Sequence, residues 1–450
     1  MIKNLLSFKI YVFLFIAVFA FSNALNAQIV KSLADEVTFT SGNDKMTSLL
    51  GCGLGGLSPC FTATVLNPNN ALNDDGTFAR LLASPGLLVG LSSYNGVIEL
   101  RFPQTLSANT TTYVRIDGDS DLLGALLGGS LGGALADVLG SVLLGRQEIR
   151  IQARNSGGTV VLNRASSDIG GFNNDMARLV TDQNGDFFLA IKPNQEYDRV
   201  RISNNSISLL GLGSEYTLDV YNAFTLEGED PCGQAQFTSF DATGINVDLL
   251  GLGNSGVNDP ENAIDGNLNT FSSISPGLLS VGGTISQFFY FGGDTAPNDE
   301  IQITISGTPS LLDVNLLGDI RFVAYNGSDV VFNETLGDLN TNLLGILQLD
   351  LLGLLSDGNQ VNIPIQPGEE FDRLEVRLST VLNLDILEAI RIHNVVKTPG
   401  RPTFENEEDA NLLVCNTDEV TFSVLSQPGD IVNWYAQPIG GTSLFTGNDY

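Results

Sequence analysis

A single histidine limits the chemistry that this chain can perform. His393 is the only His in 450 residues, and it follows Ile390-Arg391-Ile392. Most His-dependent catalysis and multi-His metal sites need partners, and no Ser, Cys or carboxylate stands near His393 at the spacing of a catalytic triad. We therefore expect a strand-end histidine and a protein that is not an enzyme.

The acidic residues could in principle supply a general acid and base. There are 51 Asp and Glu residues, but no spacing singles out a pair. Residues 117–121 (DGDSD) and 182–186 (DQNGD) are similar to the start of an EF-hand loop, whose twelfth position is a bidentate Glu. That position holds Gly128 in the first segment and Pro193 in the second. We interpret both segments as solvated turns.

The four cysteines are few and widely spaced. Cys52 and Cys60 bracket a Gly-rich loop, which makes them candidates for a short local disulfide in an exported chain. The sequence has no C-x-x-C pair, so a zinc site is disfavoured. Cys232 and Cys415 have no evident partner within the chain.

The charge excludes two classes of partner. The formal net charge is −30, from 21 Lys and Arg against 51 Asp and Glu. Nucleic acids and anionic membrane surfaces bind clustered basic residues, which this composition does not supply. With 43% hydrophobic residues, the chain can form packed cores, so it is not a disordered acidic tail.

Residues 1–27 have the pattern of a secretory signal peptide. Lys3 and Lys9 accompany an apolar run at 10–21, and Ala24 and Ala27 suit cleavage. The alternative is a membrane anchor, but the run is shorter than the ~20 residues that a spanning helix needs. We expect a secreted or cell-surface protein whose mature chain does not insert directly into a membrane.

Several motifs recur in the same order at an offset of about 170 to 190 residues. The pairs are NALN at 70–73 with NAID at 262–265, SPGLL at 84–88 and 275–279, EIRI at 148–151 with DIRF at 319–322, and PNQEYDR at 193–199 with PGEEFDR at 367–373. This order predicts two copies of one domain, at 28–230 and 231–398. The Asp-Arg pairs at 198–199 and 372–373 are expected to form an ion pair or a turn at a strand entrance.

The elements that carry these motifs are predicted to be strands. Apolar residues alternate with polar ones at 149–153, 301–305 and 374–378, which indicates antiparallel sheets with one buried face. We expect an all-β chain of tandem jelly-roll-like antiparallel β-sandwiches. Residues 399–410, rich in Pro and acids, predict a linker, and 411–450 the start of another β domain.

A Leu/Gly-rich stretch at 122–145 interrupts this pattern. One interpretation is a membrane-inserting helix, but its seven glycines each reduce helix stability by up to about 1 kcal/mol relative to Ala. The interpretation that we favour is an apolar loop or short helix packed on a sandwich edge.

Residues 412–450 resemble the Ig-like domain of large secreted proteins of Bacteroidota, often followed by a gliding-motility-type sorting domain. The matching features are Cys415, a strand at 420–424, Trp434-Tyr435, Gly440-Gly441 and Thr446-Gly447. The resemblance implies the first half of an Ig-type sandwich with a buried Trp. It also implies type IX export, and we expect a longer protein.

Residues 262–271 resemble the loop of discoidin-type, galactose-binding-like sandwiches, where Ala-x-Asp-Gly-Asn-x-x-Thr surrounds a structural calcium ion. The resemblance implies oxygen ligands from Ala263, Asp265, Asn267 and Thr270, with Glu388 as a closing carboxylate, and oxygens are what Ca²⁺ prefers. The alternative is an Asx-type turn without metal. Copy one departs from the pattern, with Asn73 for Asp265 and a shifted DDGT at 74–77, although Glu215 stands at roughly the place of Glu388.

Aromatic platforms for sugars are scarce. The only Trp, Trp434, lies outside both copies. Five other aromatic residues could serve, but we expect them in cores or at edges: Tyr94, Tyr113, Phe288, Phe289 and Tyr290. The sequence favours a non-catalytic secreted or cell-surface adhesin or structural array protein that contacts an extracellular glycan or protein surface. A calcium-stabilised carbohydrate-binding module of a larger secreted enzyme is the alternative.

Overall fold

The computed structural model describes most of both copies and parts of the C-terminal segment. The described residues are 29–41, 64–84, 94–129, 147–168, 171–206, 215–228, 233–245, 256–275, 279–293, 295–307, 318–339, 355, 358–379, 390–400, 402–405, 421–426, 431–434 and 443–450. The predicted signal peptide, the four cysteines and Glu388 lie outside them.

The described part of the chain is almost entirely β. The strands of the first copy are β1 (Val30–Leu33), β2 (Glu36–Thr40), β3 (Val65–Leu66), β4 (Ala79–Ala83), β5 (Gly96–Leu106), β6 (Thr112–Asp117), β7 (Gln147–Arg154), β8 (Val160–Ala165), β9 (Asn173–Asn174), β10 (Ala177–Thr181), β11 (Phe187–Ile191), β12 (Tyr197–Ser206) and β13 (Tyr216–Glu227). The strands of the second copy are β14 (Phe237–Ile245), β15 (Gly256–Asn258), β16 (Ser272–Ser275), β17 (Leu279–Tyr290), β18 (Glu300–Gly307), β19 (Ile320–Asn326), β20 (Asp329–Thr335), β21 (Val361–Ile365), β22 (Arg373–Ser379) and β23 (Ile390–Thr398). The C-terminal segment adds β24 (Thr403–Phe404), β25 (Val424–Leu425), β26 (Asn433–Trp434) and β27 (Phe445–Thr446).

The two copies share one strand order. In the first copy, one sheet runs β2-β5-β12-β7-β8, and the other contains β3-β4-β13-β6-β11 and continues to β10. In the second copy, the corresponding sheets run β14-β17-β22-β19-β20 and β15-β16-β23-β18-β21. The pairings are antiparallel, as in the registers of β7 with β12 and β18 with β23. The chain is therefore an all-β protein of tandem antiparallel sandwiches.

The recurring NALN and NAID motifs occupy equivalent places. The 3₁₀ helices Pro68–Ala71 and Pro260–Ala263 contain their first residues. Asn67 and Asp259, which precede these helices, have left-handed φ values of 50° and 47°. Asn and Asp tolerate that conformation better than most residues, so both copies enter the motif through the same turn.

The predicted alternation matches the buried faces. Ile301, Ile303 and Ile305 are each 0% exposed and form part of the core between the sheets of the second copy. Ile149 and Ile151 do the same in the first copy. Full burial of one such side chain stabilises the fold by about 1.5–3 kcal/mol, so alternation in these strands fixes which face is internal.

The described part of the Leu/Gly-rich stretch is a short helix packed on the first sandwich. Helix α1 (Ser120–Leu127) buries Leu122, Leu123 and Leu127 in the core of that copy. Asp119 begins the helix, since its Oδ1 accepts a hydrogen bond from the Leu122 N–H at 3.1 Å. Our interpretation of 117–121 as a solvated turn was therefore wrong for its last residues. A second helix, α2 (Leu336–Leu339), follows β20.

Among the described residues, none of the helices has the length and apolar character that crossing a bilayer requires.

Four aromatic residues of the C-terminal segment lie close together. The Trp434 ring lies 6.2 Å from Phe404, 6.4 Å from Phe422 and 5.5 Å from Tyr450 between centroids, and its Nε1–H donates to the Gly447 carbonyl at 2.7 Å. Trp434 is only half-buried. Of the described residues of the predicted strand 420–424, Val424 pairs with Phe404 in a ladder, Ser423 forms an isolated bridge with Asp449, and Phe422 exchanges backbone hydrogen bonds with Tyr450.

Candidate functional site

The loop of residues 262–271 in the second copy brings three predicted ligands together. Asp265 Oδ1 accepts a hydrogen bond from the Asn267 N–H at 2.8 Å. Thr270 Oγ1 lies 2.7 Å from both Asp265 Oδ2 and the Asn267 carbonyl oxygen. Ala263 is the remaining predicted ligand among the described residues, and it is fully buried in the preceding 3₁₀ helix. The loop is thus an Asx-type turn whose oxygens cluster around one carboxylate.

Glycine at position 266 is required by this turn. Its φ is +74°, and a Cβ there would lie 2.7 Å from Nε2 of Gln234, a side chain from the segment that precedes β14. Gln234 Nε2 also donates to Asn394 Oδ1 at 3.1 Å. The loop therefore packs closely on β23 through Gln234.

The His393 side chain packs against this loop. It is the fourth residue of β23 and only 5% exposed, so our prediction of a strand-end position was wrong. In the ladder with β18, Thr304 pairs with Asn394 and Ile305 with Ile392, which leaves His393 unpaired in a β-bulge. Bulges re-aim side chains, and this one places the His393 ring 5.5 Å from that of Phe271.

The burial and the hydrogen bonds of His393 are compatible with a neutral ring. Nδ1 lies 3.0 Å from the Leu268 carbonyl and 3.1 Å from the Thr270 carbonyl, so Nδ1 must carry a proton and donate. Nε2 lies 2.8 Å from Ser306 Oγ, whose hydroxyl can donate to the neutral ring. Burial lowers the pKa of His393, although the two carbonyls act in the opposite direction. The only histidine therefore serves as a neutral support for the loop.

The first copy repeats this arrangement with different chemistry. Asp75 Oδ1 accepts from the backbone N–H of Thr77 at 2.9 Å and from its hydroxyl at 2.5 Å. Tyr221 stands in the place of His393, and its ring lies 5.3 Å from Phe78. Sequence reasoning missed this pair, because a bulge changes the direction of one side chain without leaving a motif.

Glu215 does not close the loop of the first copy. It precedes Tyr216, which pairs with Ala83, whereas the loop residue Leu72 bridges to Asn222 at the far part of β13. Six residues of extended strand correspond to roughly 20 Å, so Glu215 lies far from this loop. Glu215 instead accepts a hydrogen bond from the Tyr94 hydroxyl.

A second candidate site lies where the two copies meet, in a contact that we call the seam. Thr181 of β10 pairs with Thr238 of β14, so a sheet of one copy continues into a sheet of the other. Beside this junction, Phe237 of the second copy stacks on Tyr113 at 4.4 Å and contacts Phe188 at 5.0 Å between ring centroids. These three rings and Phe224 are at most 7% exposed and form a separate buried cluster.

Charged contacts also cross the seam. Lys192 Nζ lies 2.8 Å from Asp372 Oδ2, and Arg373 Nη2 lies 2.9 Å from Asp175 Oδ1. The recurring Asp-Arg pairs form ion pairs in both copies, at 3.7 Å for 198–199 and 3.1 Å for 372–373, as expected. In the second copy, Asp372 and Arg373 also form the ion pairs with the first copy described above.

A cavity of about 80 Å³ lies beside these ion pairs. Its walls come from both copies and combine three cations with aromatic rings; they include Arg178, Lys192, Arg373, Tyr113, Tyr290 and Phe291. Tyr113 and Tyr290, which we expected in cores or at edges, lie in this seam, and Phe289 is fully buried in the second core. A second seam cavity, of about 360 Å³, lies where Lys31, Arg115 and Phe188 face Gln236 and Phe237.

Two buried glutamates form the main charged networks on the sheets. Glu99 is 2% exposed and contacts Arg154 at 3.1 Å and Arg201 at 2.8 Å. Glu375, also 2% exposed, accepts hydrogen bonds from Arg377 and Tyr325. Burial alone would raise the pKa of each carboxyl, but these donors hold both pKa values below the ordinary value. Both networks link side chains of neighbouring strands and have a structural role.

No protein-family model matches the chain, and no curated protein matches its sequence. Several solved structures match the chain at low identity and low TM-score. Allantoicase from Saccharomyces cerevisiae has 6% identity and a TM-score of 0.21, over 68% of this chain and 77% of that one. The CBM32-1 and CBM32-2 domains of ZmpB from Clostridium perfringens in complex with GalNAc have 10% identity and a TM-score of 0.22, over 74% and 86%. Truncated AlyQ, with CBM32 and alginate lyase domains, has 10% identity and a TM-score of 0.20, over 83% and 100%. At such values these likenesses do not indicate the ligand of this chain.

Proposed function

We propose that this chain is a non-catalytic adhesin or structural array protein of the cell exterior, in which the two sandwiches act as one rigid unit. The observation that carries the proposal is the seam. A buried aromatic cluster, a shared sheet edge and two ion pairs join the copies. Fixed domain orientations suit a spacer or an attachment protein, and a flexible linker would not supply them.

The charge and the N-terminal sequence support an extracellular location. The signal-peptide pattern at 1–27 and the net charge of −30 suit a secreted or surface protein that does not bind nucleic acid. The Ig-like resemblance adds type IX export in a member of the Bacteroidota. The partner in this proposal is an extracellular glycan or a protein surface.

A glycan array probed with the purified chain tests the binding part of the proposal. Binding to a defined set of glycans supports an adhesin, and retention on immobilised extracellular proteins supports a protein ligand. If neither surface retains the chain, a ligand-binding adhesin is wrong and the spacer remains.

The oxygen cluster around Asp265 favours a second candidate function, a calcium-stabilised carbohydrate-binding module of a larger secreted enzyme. The donor set consists of oxygens, which is the chemistry that Ca²⁺ prefers, and Asp265, Asn267 and Thr270 are already adjacent. These residues would hold the ion, which would supply a fixed positive charge that keeps the loop in place. Removal of calcium would then weaken glycan binding and lower the melting temperature together.

A further inference from the structure

Arg178 is a charged side chain in the seam without an ionic partner among the described residues. It lies on β10 of the first copy, and its guanidinium lies over the Phe288 ring of the second copy, 4.4 Å from the ring centroid. Its Nη1 is buried and has no hydrogen-bond acceptor within the described part of the chain. Buried N–H groups in native proteins are nearly always satisfied by protein, water or ligand, so this atom needs an explanation.

Arg373, which lines the same cavity, has a second such atom. Its Nη1 donates to the Gly327 carbonyl at 2.6 Å, and its Nη2 donates to Asp175 at 2.9 Å. Its Nε is buried and has no acceptor among the described residues. Arg178 and Arg373 come from different copies, so an acceptor that satisfied both would bridge the seam.

The local charge around this cavity opposes that of the whole chain. Arg178, Lys192 and Arg373 face two carboxylates, Asp175 and Asp372. The cavity wall therefore carries one positive charge in excess, in a chain of net charge −30. Such a chain repels anions at long range, so its net charge does not explain the two buried N–H donors without acceptors, Nη1 of Arg178 and Nε of Arg373. A local cationic excess with unused donors fits an anion.

The volume of the cavity sets the size of that anion. At about 80 Å³, it has room for about five water-sized groups. A carboxylate or a sulfate group fits this volume, whereas a whole sugar ring does not. The rings of Tyr113 and Tyr290 line the same cavity and offer apolar surface to the carbon atoms next to such a group.

We propose that the seam cavity binds an oxyanion, the carboxylate or sulfate group of an acidic glycan, with Arg178 and Arg373 as donors. Arginine suits these groups because its planar N–H donors match two oxygens at once. The glycan part rests on the proposed function, while binding of the anion itself does not. The bound group would contact both copies and strengthen the seam.

Isothermal titration of the purified chain at constant ionic strength tests this assignment. The probes are sodium sulfate, D-galacturonate and uncharged D-galactose. We expect sulfate and galacturonate to bind and to raise the melting temperature, and Arg178→Gln to weaken both roughly ten- to hundredfold, as expected for a charged hydrogen bond. Arg178→Lys, which keeps the charge but not the planar donors, should lose less affinity.

Arg101→Gln is the matched control, since Arg101 lies on β5 and already pairs with Glu36 at 2.5 Å. It makes the same change in charge away from the seam and should leave affinity unchanged. The assignment is wrong if neither anion binds, or if Arg178→Gln folds with wild-type affinity for both. Sulfate binding without any glycan ligand on the array supports the anion site and contradicts its assignment to an acidic glycan. Glycan binding that Arg178→Gln does not weaken supports the adhesin and contradicts the site.

Discussion

Tyr221 and His393 are the unpaired residues of equivalent β-bulges, one in each copy. Val220 and Asn222 pair with consecutive residues of β6, and Ile392 and Asn394 pair with consecutive residues of β18. Each bulge aims a ring at the neighbouring loop. The two copies have therefore kept the backbone feature and exchanged the side chain, and only the second copy has a group there that titrates near neutral pH.

We predict that acidification below about pH 6.5 destabilises the fold through His393. Its pKa is lowered by burial, so the folded state binds fewer protons than the unfolded state. This contribution is fully present above the unfolded pKa and is lost as the pH falls through it towards the folded pKa. Urea melts between pH 7.5 and 5.5, with chelator present, measure the free energy of unfolding.

His393→Gln identifies the group responsible. Gln cannot titrate, so the variant should be less stable at pH 7.5 but nearly independent of pH in this range. Tyr221→Phe is the control at the equivalent bulge and should retain the wild-type pH dependence. A wild-type dependence in His393→Gln would contradict the prediction, because His393 is the only histidine.

We predict that Phe237→Ala uncouples the two sandwiches. Phe237 is 4% exposed, and its ring contacts the rings of Tyr113 and Phe188 in the first copy, so truncation should cost about 3–5 kcal/mol. Scanning calorimetry should show one cooperative transition for the wild type and two for the variant. Phe39→Ala, at a 42% exposed site, should leave the single transition. Two transitions in the wild type would show that the seam does not couple the copies.

We predict that Glu375→Gln destabilises the second copy by about 2 kcal/mol, because donors in a buried network lose a charged acceptor. The partners Arg377 and Tyr325 lie 2.8 Å and 2.6 Å from the carboxylate. Since the pKa of Glu375 is lowered, its contribution is present above the unfolded value, about 4.5, and is lost as the pH falls below it. Melts at pH 7 and pH 3.5 should therefore differ less for the variant than for the wild type. Glu196→Gln, at an exposed position, should behave like the wild type at both pH values.

The sequence predicted the features that depend on local pattern. Alternation located Ile301, Ile303 and Ile305 on a buried face, and the repeated motifs predicted two sandwiches that share one strand order. It could not predict the seam, because Tyr113, Phe188 and Phe224 lie on the outer face of a sheet that alternation assigns to solvent. Their burial depends on long-range packing of one copy on the other. The bulge at His393 was missed for a related reason, since one extra residue in a strand changes no local composition.

We predict that calcium stabilises the second copy through Asp265. A ligand that binds only the folded state raises the free energy of unfolding, by about 2.7 kcal/mol at a hundredfold excess over its dissociation constant. Millimolar calcium should therefore raise the melting temperature, and chelator should reverse the change. Asp265→Ala should abolish the response. Asp75→Ala provides the control, because Asp75 forms the same type of turn with Thr77 in the copy whose loop departs from the calcium pattern. An unchanged melt of the wild type would leave the loop as an Asx turn held by Thr270 and His393, and a response that Asp75→Ala removes would place the ion in the first copy instead.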